Sequence, residues 1–536
     1  MPADIDSASS GDPLSPGGQD RPRGAPGRPD RLTDSVISGV AWRFGSVIAI
    51  AGTQFFVSIV LARLIPPSQF GLMAFATVFT GLGMLFTELG VGASVVQRKD
   101  LAPGHVRVAW TISLFLGLAL ALILNLIAGF IPSIAGAPSP RPILRALSVG
   151  FFFSGMTVVS SALLRRRLAF RQLFMIDTAS YLFGYVAVTL PLAFAGFDVW
   201  ALVAGYLSSG LLTAVLTYAR VRHPLRLGFK RREARELVGF GTGATISGLL
   251  NFLALNMDYF IVGRTLGAAP LGLYQKGYYL MALPLRYVAR ILSNVLFPAY
   301  SRMQQDRRAL ARSYLISMNV VFLVTLPAMM LTLVNATDIV SGLYGERWIG
   351  TAPVLRVLAV FGVLRAMYHM GGTIAQATGR VYAEARREAL YAALVVAGAL
   401  VGSRYGIVGV AWGVGLAILG MNVAMAQLVV SITSISWRRL GQAHLAGLVL
   451  GVIVLVIALV ARRLLLPLEL PDLMLSVADG VVASVPALIC YRYLPANLRY
   501  PGSAEVLIRV CGRLPKPAER AGMWVLRAKS PTVVGD

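Results

Sequence analysis

Residues 251–284 read NFLALNMDYFIVGRTLGAAPLGLYQKGYYLMALP. An apolar span carrying one acid, Asp258, ends at Gly263 and Arg264, passes a Gly/Ala/Pro turn, and a second span starts near Leu271. The stretch has a counterpart near the start of the chain. Leu61-Ala-Arg-Leu-Ile-Pro-Pro-Ser-Gln-Phe-Gly-Leu aligns without a gap with Val262-Gly-Arg-Thr-Leu-Gly-Ala-Ala-Pro-Leu-Gly-Leu, so that Arg63 falls on Arg264, Gly71 on Gly272 and Leu72 on Leu273. In both copies the arginine closes one apolar span and the Gly-Leu leads into the next. Gly and Leu are common residues, so the match draws its weight from its place in two parallel series of apolar spans. The expectation is a duplicated membrane protein with two similar lobes.

Composition fixes the class independently. The chain has 536 residues, 56% hydrophobic and only 14% charged, with a mean hydropathy of +0.70. A soluble chain would carry about a quarter charged residues. The net charge of +25 raises the question of nucleic acid. That partner is excluded by placement, because the basic residues form short clusters between long apolar spans, as positive loops of a membrane protein do. The two cysteines, Cys490 and Cys511, form no disulfide framework or CxxC site, and four scattered histidines suggest no metal cluster.

Along the chain, residues 1–36 are rich in Pro, Gly, Ser and Asp and read as a disordered tail. A bilayer core of about 30 Å takes roughly 20 helical residues. Spans of that length are expected near 40–62, 70–92, 107–131, 143–164, 173–195 and 199–219, then 237–262, 276–299, 312–335, 350–371, 387–403 and 407–432, with two more near 443–461 and 473–490. The domain reading is a tail 1–36, a six-helix lobe 37–219, a basic linker 220–236, a six-helix lobe 237–440, two extra helices 441–490 and a basic tail 491–536. Dense basic loops, such as Arg165 to Arg171 and Arg220 to Arg235, alternate with sparser loops and helix ends that hold Arg63, Arg264, Lys276 and Arg462. This places both termini in the cytoplasm. Six spans separate the two copies of the repeat, so both run the same way, as a parallel repeat does.

Several enzyme classes are disfavoured. On these limits no external loop exceeds about twenty residues. No Walker A sequence, HExxH helix or Ser/His/Asp grouping can be assembled. The form left is a transporter, not an enzyme. Ionisable residues inside the spans then become site candidates. Arg286 and Arg290 stand four apart on one face of the eighth span, beside Pro284, which invites a kink; Arg365 and His369 are four apart on the tenth. Asp258 lies one turn below the outer end of the seventh span and Glu88 near the inner end of the second. Asp258 has two readings, a structural partner for a basic residue or a ligand for a coupling cation. Arg63 and Arg264 read as helix-end anchors.

Four stretches carry a family resemblance: Leu61 to Leu72, Glu88-Leu-Gly-Val-Gly-Ala-Ser-Val-Val-Gln-Arg-Lys, Asp258 to Pro284, and Leu296-Phe-Pro-Ala-Tyr-Ser-Arg. Over residues 36 to 440 the chain resembles the polysaccharide-transporter (Wzx, colanic-acid-exporter-like) branch of the superfamily that also holds lipid II flippases and multidrug extruders. The spans placed above make an all-α protein of about 14 transmembrane helices. The resemblance implies that twelve of them form two six-helix bundles in a V around a central cavity; it fades after about residue 440, and the two C-terminal spans there are similar in number to those of fourteen-helix lipid II flippases but carry no motif of that branch. The resemblance implies movement of undecaprenyl-pyrophosphate-linked oligosaccharide across a bacterial inner membrane, for exopolysaccharide or lipopolysaccharide synthesis, with membrane lipids and other polysaccharide-assembly proteins as partners. No cofactor is expected beyond a coupling ion, Na⁺ or H⁺, for which Asp258 and Glu88 are the candidates. Arginine suits a pyrophosphate because its guanidinium donates in a fork, so Arg286, Arg290 and Arg365 are the expected headgroup ligands. A cation-coupled multidrug extruder, a lipid II flippase and a membrane protein without transport are the competing readings. The deep charge, mainly positive, speaks against organic cations as cargo.

Overall fold

The computed structural model describes residues 50–88, 91–98, 100–131 and 139–493, with residues 88, 237–247 and 286–295 described as backbone alone. The first half holds α1 (Ile50–Leu64), α2 (Pro67–Glu88), α3 (Val91–Gln97), α4 (Pro103–Ile127), α5 (Arg141–Arg166), α6 (Phe170–Tyr181), α7 (Leu190–Phe194) and α8 (Asp198–Val221). The second holds α9 (Arg231–Leu266), α10 (Ala268–Arg302), α11 (Arg307–Val334), α12 (Ala336–Tyr344), α13 (Thr351–Ala377), α14 (Val381–Ser403) and α15 (Gly406–Thr433), followed by α16 (Trp437–Leu465) and α17 (Asp472–Tyr493). No strand occurs among the described residues, and ten helical segments are long and apolar enough to cross a membrane. The chain is a polytopic helical membrane protein.

The packing has the pattern of a membrane interior. On α16 the buried positions are mostly small, Ala443, Ala446, Gly447, Gly451, Ala458 and Ala461, while Leu448, Val452, Val456 and Leu459 face outward. In lipid a large apolar side chain gains nothing from burial, so close backbone approach decides which face turns inward. Gly447 and Gly451 lie against Phe322 and Leu326 of α11, and α17 packs on α16 and α12. The last two helices are thus fixed to α11 and α12. In the first half α4, α5 and α8 pack together, and a π-helical turn, Leu182–Thr189, joins α6 to α7 into one rod ahead of Pro191. The wider turn suits a proline that can give no N–H to the ladder.

Contacts are those of residues from Val57 onward, which form one unit; the start of α1 before Val57 is described only as helix. The halves meet where α2 packs on α9 and α10. At the α2–α10 crossing a methyl on Gly71 would overlap the Ala268 carbonyl, and one on Gly272 would overlap the Pro67 carbonyl. Only hydrogen fits at either position.

Two expectations are corrected. The break after the seventh span is a single residue, Gly267, at φ +106°, between Leu266 and Ala268. Gly263 and Arg264 are still helical, and Pro270 sits in the first turn of α10, where its missing N–H costs no bond. α10 stays helical through Pro284 and Pro298 and packs along α2 and α13; Pro284 has no N–H to give, so the carbonyl one turn before it goes without a helical bond. Within the basic segment 220–236, only 222–230 is non-helical, because the charged Arg231–Glu236 already belongs to α9. The sequence also gave no sign of α12 and the short turn Glu346–Trp348 between the spans at 312–335 and 350–371.

Candidate functional site

Asp258 is 2% exposed and makes no ion pair among the described residues. Its Oδ2 accepts from the Tyr274 hydroxyl at 2.9 Å, and its Oδ1 from the backbone N–H of Tyr259 at 2.9 Å. Helices α9 and α10 bring three tyrosines to it. The Tyr259 ring meets those of Tyr274 and Tyr278 edge-on, each at 5.9 Å between centroids. Tyr274 and Tyr278 are neighbours because they stand four apart on α10. From α13 the half-buried Arg365 donates to the Tyr278 hydroxyl and lies 5.3 Å from the centre of its ring. One turn on, Tyr368 packs on Tyr391 of α14 at 5.7 Å. Between α9 and α14, the Asn251 amide donates to Glu388 at 3.1 Å.

Two expected site residues, Asp258 and Arg365, are therefore linked through a tyrosine bridge and do not touch directly. Arg286 and Arg290 lie in α10, and Glu88 ends α2, but all three side chains fall outside the described residues. Sequence reasoning missed the tyrosines, although Tyr274 and Tyr278 sit at helical spacing inside the opening stretch. It also missed Glu388 and Asn251.

A second buried cation was grouped with the sparse outer charges. Lys276 of α10 is 5% exposed, without a carboxylate among the described residues. Its Nζ donates to Ser58 Oγ of α1 at 2.8 Å and stands 4.2 Å from the centre of the Phe70 ring and 5.0 Å from that of Tyr344. Next to it, Trp348 donates its indole N–H to the Ala62 carbonyl at 2.7 Å. Arg63 donates to the carbonyls of Gly342 and Leu343 at the end of α12, which suits an arginine at a helix C-terminus. These contacts tie α1 and α2 to α10 and α12. A third cluster docks the last helices: Arg462 pairs with both oxygens of Asp338 and reaches Asn335 Oδ1, while Asn335 donates to Asp479 at 2.8 Å. No group of three or more metal-ligating side chains occurs among the described residues.

A family model described as polysaccharide biosynthesis protein matches residues 60–353. Relatives include the lipopolysaccharide biosynthesis protein WzxC of Escherichia coli K12, 26% identical over 351 residues, which are 65% of this chain and 71% of that protein. The teichuronic acid biosynthesis protein TuaB of Bacillus subtilis 168 is 25% identical over 361 residues, 65% of this chain and 72% of that protein. Among solved structures, the lipid II flippase MurJ in an inward closed conformation matches with a TM-score of 0.68 at 12% identity, over 83% of this chain and 98% of that one. An inward-facing multidrug resistance MATE transporter matches at 0.57 and 18%, over 72% and 96%. At these identities the structural likeness concerns the fold.

Proposed function

Because the chain belongs to the family of polysaccharide biosynthesis proteins, we propose that it is a flippase that moves a lipid-linked oligosaccharide across the membrane for polysaccharide synthesis. The observation that carries this is the family match together with relatives named for lipopolysaccharide and teichuronic acid biosynthesis. The polytopic helical fold, related to that of MurJ, is a form suited to such cargo.

The finer reading is that fourteen helices form two parallel six-helix lobes, 37–219 and 237–440, joined by the basic segment 220–236 and followed by the two added helices. Both termini face the cytoplasm of a bacterial inner membrane; the tail 1–36, and the basic tail 491–536 from residue 494 onward, lie outside the described residues. Reciprocity at the α2–α10 crossing supports this. Gly71 faces Ala268 and Gly272 faces Pro67, and these are equivalent positions of the repeat, as a two-fold axis along the membrane normal requires. The cargo's pyrophosphate is held by Arg286, Arg290 and Arg365, and Na⁺ or H⁺ at Asp258 or Glu88 drives the return step. A labelled cysteine at Phe170, exposed at the start of α6, should be accessible only from the cytoplasm.

Deletion of the gene tests the function. Surface polysaccharide should disappear and lipid-linked repeat units should accumulate on the cytoplasmic leaflet. Normal polysaccharide with new sensitivity to cationic drugs would instead identify an extruder.

A further inference from the structure

The segment between α8 and α9 is held down at both ends. After the left-handed Arg222, at φ +47°, the His223 ring is buried between Trp110, 5.0 Å away, and Tyr218, 5.5 Å away, and shares a hydrogen bond with Ser160 of α5 at 3.0 Å. Five residues on, the Gly228 N–H donates to Thr111 Oγ1 of α4 at 3.1 Å, and the same hydroxyl lies 3.1 Å from the Gly228 carbonyl. A side chain at Gly228 would collide with the stem of Arg107. Residues 222–230 are therefore a fixed strap across the ends of α4 and α5.

The strap's outward residues alternate in kind. Leu225, Leu227 and Phe229 are 45%, 56% and 66% exposed, with the exposed Arg226 and Lys230 between and after them. Leu225, Leu227 and Phe229 thus put three large apolar side chains on the surface within five residues. Phe229, Ile112 and Ala234 line a cleft of about 940 Å³ together with Arg231, Arg232, Arg235 and Glu236. The apolar side continues up α4 through Phe115, Leu118 and Leu122, all exposed and spaced three or four apart on one helix face. The charge is not locally cancelled. Glu233 takes Lys230, and Glu236 is shared by Arg98, His105 and Arg232. Arg226, Arg231 and Arg235 have no acidic partner among the described residues. A surface that is apolar towards hydrocarbon and cationic at the helix ends fits one neighbour, the headgroup region of the bilayer.

We propose that this strap and cleft form a binding site for an anionic phospholipid, with the headgroup phosphate taken by Arg226, Arg231 and Arg235, and Leu225, Leu227 and Phe229 lying among the acyl chains. Three observations carry it: the pinned strap with its unpaired Arg226, the unpaired Arg231 and Arg235 lining the cleft, and the cleft residue Ile112 one turn before the exposed apolar face of α4. The site is separate from the Asp258–Arg365 network and does not depend on what the protein transports.

The test uses the full chain purified in detergent and titrated with phosphatidylglycerol by native mass spectrometry, with phosphatidylcholine as the neutral comparison. Phosphatidylglycerol should bind and raise the thermal midpoint. The combined Arg226→Gln, Arg231→Gln, Arg235→Gln variant should weaken that binding about ten-fold or more, while its lipid-free thermal midpoint stays at the wild-type value, since the three side chains are exposed. A control removing other exposed charges, Arg386→Gln, Arg438→Gln, Arg439→Gln, should leave binding within about two-fold. Equal loss in the control would mean diffuse attraction to any basic loop and would overturn the proposal. So would equal binding of phosphatidylcholine. Farnesyl pyrophosphate separates the two sources of phosphate. If it displaces phosphatidylglycerol at equal concentration, the cleft belongs to a pyrophosphate cargo and not to the bilayer.

Discussion

Asp258 is the clearest case of a side chain whose surroundings limit what it can do. Both of its oxygens meet neutral donors, the Tyr274 hydroxyl and a backbone N–H, so its charge is screened but not cancelled. A carboxylate held this way keeps lone pairs for a small cation or a proton, whereas one already paired with arginine does not. Transport in vesicles by an Asp258→Asn variant should lose its dependence on an ion gradient, with the helices still assembled; unchanged gradient dependence in both this variant and Glu88→Gln removes the idea. Arg365 answers at the other end of the tyrosine bridge. Lys276 poses a different problem. An ammonium group buried with the hydroxyl and the more distant carbonyl of Ser58 and aromatic rings gains about 0.5–2 kcal/mol from the rings, against a desolvation cost of several kcal/mol. Stability alone does not favour it. Lys276→Met should therefore raise thermal stability by about 1 kcal/mol and lower the transport rate, both measurable on one preparation. A fall in both would make Lys276 a simple structural post. The acid was visible in the sequence because a lone charge stands out in an apolar run. Its tyrosines were not, because Tyr259, Tyr274 and Tyr278 acquire their meaning only when α9, α10 and α13 pack, and nothing in the spacing of α13 points at α10.

The helices themselves were legible where an apolar run of bilayer length meets a turn signal. The expected span 143–164 lies inside α5, and 407–432 inside α15. The tight turn at Gly196-Phe-Asp198 separates α7 from α8, with Gly196 at φ +82°. What escaped was α12, nine residues long, too short to register as a span. It matters because its Asp338 takes both arms of Arg462. Arg462→Met leaves that carboxylate unpaired at a cost of about 3 kcal/mol. Hydrogen exchange should rise across α12 and at the facing ends of α16 and α17, while α4, α5 and α8 stay protected; unchanged exchange at α12 refutes the docking role. The strap carries a pH dependence. Burial lowers the His223 pKa below its ordinary 6.5, partly offset by the Pro224 carbonyl, and the groups facing the ring are Ser160, Trp110 and Tyr218, none of them charged. The unfolded strap thus binds a proton that the folded one refuses. Its anchoring is constant above about pH 6.5 and weakens as pH falls below it. A nitroxide at Leu225→Cys, in a background without Cys490 and Cys511, should become mobile on acidification, and His223→Gln should flatten that response.

Taken whole, the molecule is held across its middle by two kinds of contact. One is chemical, the caged Lys276 with Trp348 and Arg63. The other is purely spatial, the crossing of α2 and α10 at Gly71 and Gly272. Gly71→Ala should pry the crossing open, so that a cysteine at Ser58, now half-buried beneath Lys276, reacts faster with a polar maleimide; an unchanged rate would mean that the helices slide without parting. The same crossing bears on ancestry. If one gene segment was copied to make the two halves, its glycine first had to serve a contact between identical chains, as a self-complementary surface does. After fusion the two glycines could not diverge independently. Each faces the other's backbone, and backbone has no smaller substitute to offer in compensation. A saturation screen of the chain should therefore accept glycine alone at both positions, with no second-site partner restoring the loss. Elsewhere in the same two helices, Phe75 and Lys276 fall opposite each other in the alignment and carry unlike chemistries. Descent from one copied segment would leave that signature: freedom at the side chains, and none where the two main chains touch.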